Sequence, residues 1–147
     1  MTPPTRYVLD ASVAIKLVIN EPGSDHAHEL LSRVADDPNG RIYVPGLFCA
    51  ECANVLWKHV RRLRLPASAA ERNLSRLLAL PVTEVSTRDV APAALRLAIE
   101  HGISAYDATY VAVAEHMVAP LVTADGPLVE RFRGKQPAVL TLADALA

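Results

Sequence analysis

The sequence predicts an α/β fold: a parallel β-sheet flanked by helices on both faces. Two observations carry this. Short apolar runs alternate with segments of helical pattern along the chain, as in parallel sheets covered on both sides. Carboxylates stand just after those runs or in the first turns of helices. In such sheets, ligands bind outside the carboxyl ends of the strands.

Each element has a local reason. Residues 6–10 read as a short buried strand. A helix over 12–19 follows, closed by Asn20-Glu21-Pro22-Gly23. An amphipathic helix over 25–35 ends at Asp36-Asp37-Pro38-Asn39-Gly40. Residues 41–44 form a strand, and Pro45-Gly46 opens a long helix to about Arg64. Pro66 breaks it, and 67–80 forms the next helix. A strand over 82–85 leads to a helix over 87–101, with Gly102 as its C-terminal cap. A helix over 104–118, a strand over 121–123, a short helix over 127–132 and a last strand over 139–142 complete the pattern.

The 147 residues make one domain, 1–147, large enough to bury a core. Hydrophobic content of 51% marks a globular chain. Part of that excess suits a partner surface. Net charge is -1, so any nucleic-acid site must be a local patch. No apolar run approaches a membrane span. Met1-Thr2-Pro3-Pro4-Thr5 lacks a signal-peptide apolar region. Two cysteines make no disulfide scaffold. The expected setting is soluble, reducing and cytoplasmic.

Four acids stand out, each with a bland alternative. Asp10 ends a strand before a helix, so it reads equally as a cap or as a ligand. Asp107 follows Ser104 at a capping-box spacing. Asp125 lies in the turn-rich Thr123-Ala124-Asp125-Gly126-Pro127. Glu51 shares a polar helix stripe with Asn54, Lys58 and Arg61 or Arg62, which a solvated face explains equally well. A second stripe, Phe48, Cys52, Val55 or Leu56, and His59 or Val60, suits the core. The conjunction says more than any member. If the acids meet at one rim, their oxygens need protons or a hard cation.

Taken together, Val8-Leu9-Asp10-Ala11-Ser12, Glu51 on the helix ending Trp57-Lys58-His59, Tyr106-Asp107-Ala108-Thr109-Tyr110-Val111-Ala112 and Leu121-Val122-Thr123-Ala124-Asp125 resemble the PIN-domain ribonucleases. In length and layout the chain is similar to the VapC-type toxins of toxin–antitoxin pairs. The resemblance covers essentially the whole chain. It implies that Asp10, Glu51, Asp107 and Asp125 are the acidic set. Thr123 would orient Asp125 or a water on the metal, and Ser12 would contact the phosphate or support the acids. It also implies Mg²⁺ or Mn²⁺, a homodimer, an RNA substrate cut to a 3′-hydroxyl and a 5′-phosphate, and a small antitoxin whose tail fills the acidic groove.

Mg²⁺ commonly takes one or two carboxylates and retains waters. Asp10 and Asp125 are the first expected ligands, with Asp107 added to the set. Glu51 and Asp107 bind directly, bind through water, or act as a base. RNA needs counter-charge near such a groove, for which Lys58, Arg61, Arg62, Arg64, Arg131, Arg133 and Lys135 are candidates. Tyr106, Tyr110 and Trp57 are the few aromatics for base stacking, with core packing the default for Trp57.

Two rival readings remain. Cys49-Ala50-Glu51-Cys52 is a CxxC, the pattern of thiol redox sites. Such sites sit at helix N-termini, whereas this helix begins earlier, so packing is the expected role. A zinc site lacks ligands, since His26 and His28 point to different sides of a helix. The other rival is a non-catalytic PIN-like module that grips RNA or a partner. Fingerprints of other α/β enzymes, GxGxxG, GxxxxGK[ST] and GxSxG, are absent from the sequence.

Overall fold

The computed structural model describes residues 3–147, so Met1 and Thr2, part of the leader reading, lie outside the described residues. Five parallel strands form one sheet in the order β3-β2-β1-β4-β5. They are β1 (Arg6–Leu9), β2 (Arg41–Pro45), β3 (Thr83–Val85), β4 (Leu121–Val122) and β5 (Val139–Leu140). The helices are α1 (Ala11–Ala14), α2 (Ser24–Asp36), α3 (Leu47–Arg61), α4 (Ala67–Leu78), α5 (Thr87–His101), α6 (Ala105–Met117), α7 (Gly126–Arg131) and α8 (Leu142–Leu146).

The strand order explains where a site can form. The chain runs from β1 outward to β2 and β3, then returns to place β4 on the other side of β1. The order therefore reverses between β1 and β4. A crevice opens at such a switch point, beyond the strands' carboxyl ends. Asp10 follows β1 there, and Thr123 to Asp125 follow β4. The register pairs Leu9 with Val122, which sets Asp10 beside Thr123.

Burial holds this rim in place. Val8, Leu9, Ile42, Val44, Leu121 and Val122 are almost wholly buried. Each such side chain contributes roughly 1.5–3 kcal/mol by leaving water. The α6 helix is buried without a break from Ala108 to Ala114. It is apolar nearly all round, as a helix inside the molecule must be. Its alanines let it lie close to α5, β2 and β1, all of which it contacts.

Several boundaries differ from the sequence reading, each for a local reason. The helix expected over 12–19 is α-helical only to Ala14 and tightens into a 3-10 turn over Ile15–Leu17. The long helix stops at Arg61, short of Arg64, in a turn where Leu63 has a positive φ of 55°. The strand expected over 139–142 ends at Leu140, because the Thr141 hydroxyl accepts from the Asp144 amide and caps α8. That last helix was not anticipated. Gly102 does cap α5, at φ 64°, a conformation that suits glycine.

Candidate active site

Asp10 occupies an N-cap position yet does not cap: its side chain makes no bond to the helix α1 amides. Its Oδ2 instead accepts from the Ser12 hydroxyl at 2.8 Å and the Thr123 hydroxyl at 2.7 Å. Those hydroxyls are themselves fixed by backbone amides. Ser12 Oγ accepts from the Ala124 amide at 3.1 Å, and Thr123 Oγ1 from the Asp125 amide at 3.1 Å. The turn after β1 is thereby tied to the turn after β4. Thr123 orients Asp10, not the Asp125 carboxylate.

Asp125 does cap, accepting from the Leu128 amide through Oδ1 at 3.1 Å. Both strand-end acids thus give one oxygen to the protein. Among the described residues, Asp10 Oδ1 and Asp125 Oδ2 have no hydrogen-bond donor.

Glu51 and Asp107 reach the same place from helices. The Ser104 hydroxyl accepts from the Asp107 amide at 3.1 Å and starts α6 with that acid in its first turn. Glu51 projects from α3 beside the core stripe of Phe48, Cys52 and Leu56. Both acids are half-buried. Burial raises the pKa of Glu51, and the charges of Asp10 and Asp107 raise it further. Burial likewise raises Asp107, followed by the charges of Asp125 and Asp10. Glu51 therefore lies within reach of the charges of Asp10 and Asp107, and Asp107 within reach of those of Asp125 and Asp10. Among the described residues none of them joins an ion pair.

The geometry corrects the aromatic reading and places the cysteines as the packing reading expects. Trp57, expected in the core, is 52% exposed, with Arg61 stacked 5.3 Å from its ring centroid. It falls just outside the stripe that Leu56 buries, at the edge of an apolar groove between α3 and α4. Tyr110, a stacking candidate, is 2% exposed and cannot offer its ring to a base. Tyr106 is 66% exposed and can. Cys52 is fully buried, Cys49 partly so, and both are free thiols. Burial pushes the Cys52 thiol up to about 12, away from the thiolate that redox chemistry needs. His26 and His28 are exposed. Of the basic candidates, Arg133 pairs with Glu130, and Arg131 donates to the His101 carbonyl at 2.7 Å. Lys58, Arg61, Arg62 and Arg64 are exposed, with no ion pair among the described residues.

No three Asp, Glu, His or Cys side chains among the described residues close on a point as a ready-made metal cage. A cation that keeps most of its waters needs no such cage. Mutually repelling carboxylates with open oxygens and no paired cation fit one.

An acidic rim at the switch point of a parallel sheet is a setting suited to metal-assisted chemistry on a phosphodiester. The PIN-domain family model matches residues 7–131, and the chain belongs to the PIN-domain family. Within that family it is a VapC-type PIN ribonuclease by relationship. It is 36% identical over 140 residues to Ribonuclease VapC3 of Pyrobaculum aerophilum, covering 92% of this chain and 98% of that one. The crystal structure of PAE2754 from Pyrobaculum aerophilum superposes with a TM-score of 0.68 at 26% identity, over 95% of this chain and 85% of that chain. A toxin–antitoxin complex from Klebsiella pneumoniae shares the fold, with a TM-score of 0.63 at 19% identity, over 92% and 97% of the two chains. Nucleases of the PIN family are generally metal-dependent.

Proposed function

We propose that the protein is the toxin of a type II toxin–antitoxin pair, and that it hydrolyses RNA phosphodiester bonds with Mg²⁺ or Mn²⁺ at the acidic rim. The observation that carries this reading is the pair of strand-end acids. Asp10 and Asp125 are each held through one oxygen and leave the other without a donor among the described residues, with Glu51 close enough to feel the charge of Asp10, and Asp107 those of Asp125 and Asp10.

Asp10, Asp107 and Asp125 would hold the cation, with Glu51 bound directly or through water. When bound, the cation supplies water activation and neutralises charge developing on the phosphate. The chain's own groups do the rest. Ser12 and Thr123 fix the Asp10 carboxylate, so its open oxygen needs no reorganisation. Glu51, with its pKa raised by burial, is suited to take a proton from the attacking water. Attack at phosphorus with the ribose O3′ leaving gives the expected 3′-hydroxyl and 5′-phosphate. Lys58, Arg61, Arg62 and Arg64 draw the RNA backbone toward a rim that would otherwise repel it.

The remaining partners follow from the same reading. An antitoxin segment would bring an Arg or Lys to the acids, since Arg pairs carboxylates bidentately. Exposed Leu95 and Ile99, one turn apart on α5, supply apolar surface for a homodimer contact. A cytoplasmic location suits two free cysteines. Among the described residues no helix is long and apolar enough to cross a membrane.

The test is cleavage of RNA by purified, partner-free protein. The expected result is cutting with Mg²⁺ or Mn²⁺ that stops with EDTA, and growth arrest on expression that the neighbouring small protein relieves. Folded protein that binds RNA under every divalent metal without cutting it would favour the non-catalytic module.

A further inference from the structure

Tyr110 lies one turn beyond Asp107 on α6, with its ring in the core. Its hydroxyl is buried and makes no hydrogen bond of full geometry. Phenylalanine would fill the same space without that cost, so the oxygen calls for a reason. Its titratable neighbours are Glu51, Asp10 and Cys52, and Glu51 is near enough to feel its hydrogen.

The chemistry of the two groups is complementary. An ionised carboxylate only accepts, and a phenol has one proton to give. A phenol keeps its proton at neutral pH, so the hydroxyl is a donor there. Glu51 meanwhile is repelled by Asp10 and Asp107, with only Lys58 acting in the opposite sense among nearby charges. A flexible side chain so placed turns toward solvent unless something holds it.

From this placement we infer that Tyr110 is a positioning residue: its hydroxyl donates to the Glu51 carboxylate and keeps that side chain in the acidic cluster against repulsion from Asp10 and Asp107. The kinetic part rests on the nuclease reading; the metal-binding part does not. Tyr110 acts through Glu51 and touches no substrate.

The experiment compares wild type, Tyr110→Phe, Glu51→Gln and the double variant in the full chain without partner. Mn²⁺ affinity of the protein alone, kcat and KM for RNA, and Tm are measured on each. Tyr110→Phe is expected to lower kcat about 10- to 100-fold with KM little changed, and to weaken Mn²⁺ binding. In the Glu51→Gln background the same change should add nothing to either readout. Unaltered cleavage and Mn²⁺ affinity in Tyr110→Phe would overturn the inference and leave the nuclease reading intact. So would a collapse in Tm, which would make the hydroxyl a structural group. If wild type cuts no RNA yet Mn²⁺ binding falls in Tyr110→Phe and not in the double variant relative to Glu51→Gln, the nuclease reading fails and the positioning role stands.

Discussion

Asp10 and Asp125 sit at strand ends and are pinned, while Glu51 and Asp107 sit on helices and are loaded. The first pair is tied down through Ser12, Thr123 and the Leu128 amide. The second pair is desolvated and pressed by like charges, with its pKa values raised. Preorganisation and stored repulsion are different ways to prepare a cation site. Pinning fixes where the cation goes. Repulsion makes the empty site unfavourable, so binding relieves it. Substitutions should therefore separate the two pairs by how activity and stability respond.

The largest effect is expected in the pinned pair. Asp10→Asn keeps the shape, removes the charge and leaves Ser12 and Thr123 a weaker acceptor. Cleavage should fall by at least about 10²-fold. Undiminished cleavage by folded Asp10→Asn protein would remove Asp10 from the site.

Thr123→Val tests the pinning itself. It deletes the 2.7 Å bond to Asp10 and the acceptor for the Asp125 amide. A loss of about 10- to 100-fold is expected, smaller than that of Asp125→Asn. Equal or greater damage at unchanged Tm would mean that the hydroxyl touches the reacting groups directly.

The loaded pair should behave oppositely in stability. A carboxyl whose folded pKa is raised binds its proton more tightly in the folded state. Its contribution is favourable below the unfolded values, near 4.5 for Glu51 and 3.8 for Asp107, and is lost as pH rises through the raised folded values. At neutral pH the penalty is fully present. Glu51→Gln and Asp107→Asn should each raise the Tm of metal-free protein at pH 7 while lowering activity. The gain should fade in acid. Mn²⁺ should raise the wild-type Tm at pH 7 and do so less as these acids protonate. A lower Tm in both variants at pH 7, without metal, would contradict the stored repulsion.

The pinned pair was legible in the sequence, and the loaded pair only in part. Asp10 and Asp125 follow apolar runs, and strand ends of a parallel sheet share one rim whatever the helices do. Glu51 and Asp107 are on helices, where position along the chain does not fix which face is turned inward. Ser104 at capping distance showed where α6 begins, but nothing local showed that Asp107 would be half-buried. Trp57 was misplaced because one helical position, 100° of rotation, separates it from buried Leu56. Tyr110 was read as a stacking group because aromatic type says nothing of depth. Its spacing of three from Asp107 was the available signal. Helix α8 escaped because five residues are too few for periodicity, although Thr141 three before Asp144 has the spacing of a cap.

The smallest effect is expected away from both pairs. Changing Cys49 and Cys52 together to Ala should retain most cleavage and lower Tm modestly, because Cys52 fills core volume. Loss of cleavage without unfolding, or dependence of the wild type on thiol reductants, would revive redox chemistry.

The most direct measurement is calorimetric titration of Mn²⁺ into partner-free wild type and Asp10→Asn at pH 7. The expected result is saturable binding to wild type, weakened at least about 10-fold in the variant. Equal binding by both proteins, or none by either, would contradict the assignment of the acidic rim as a cation site.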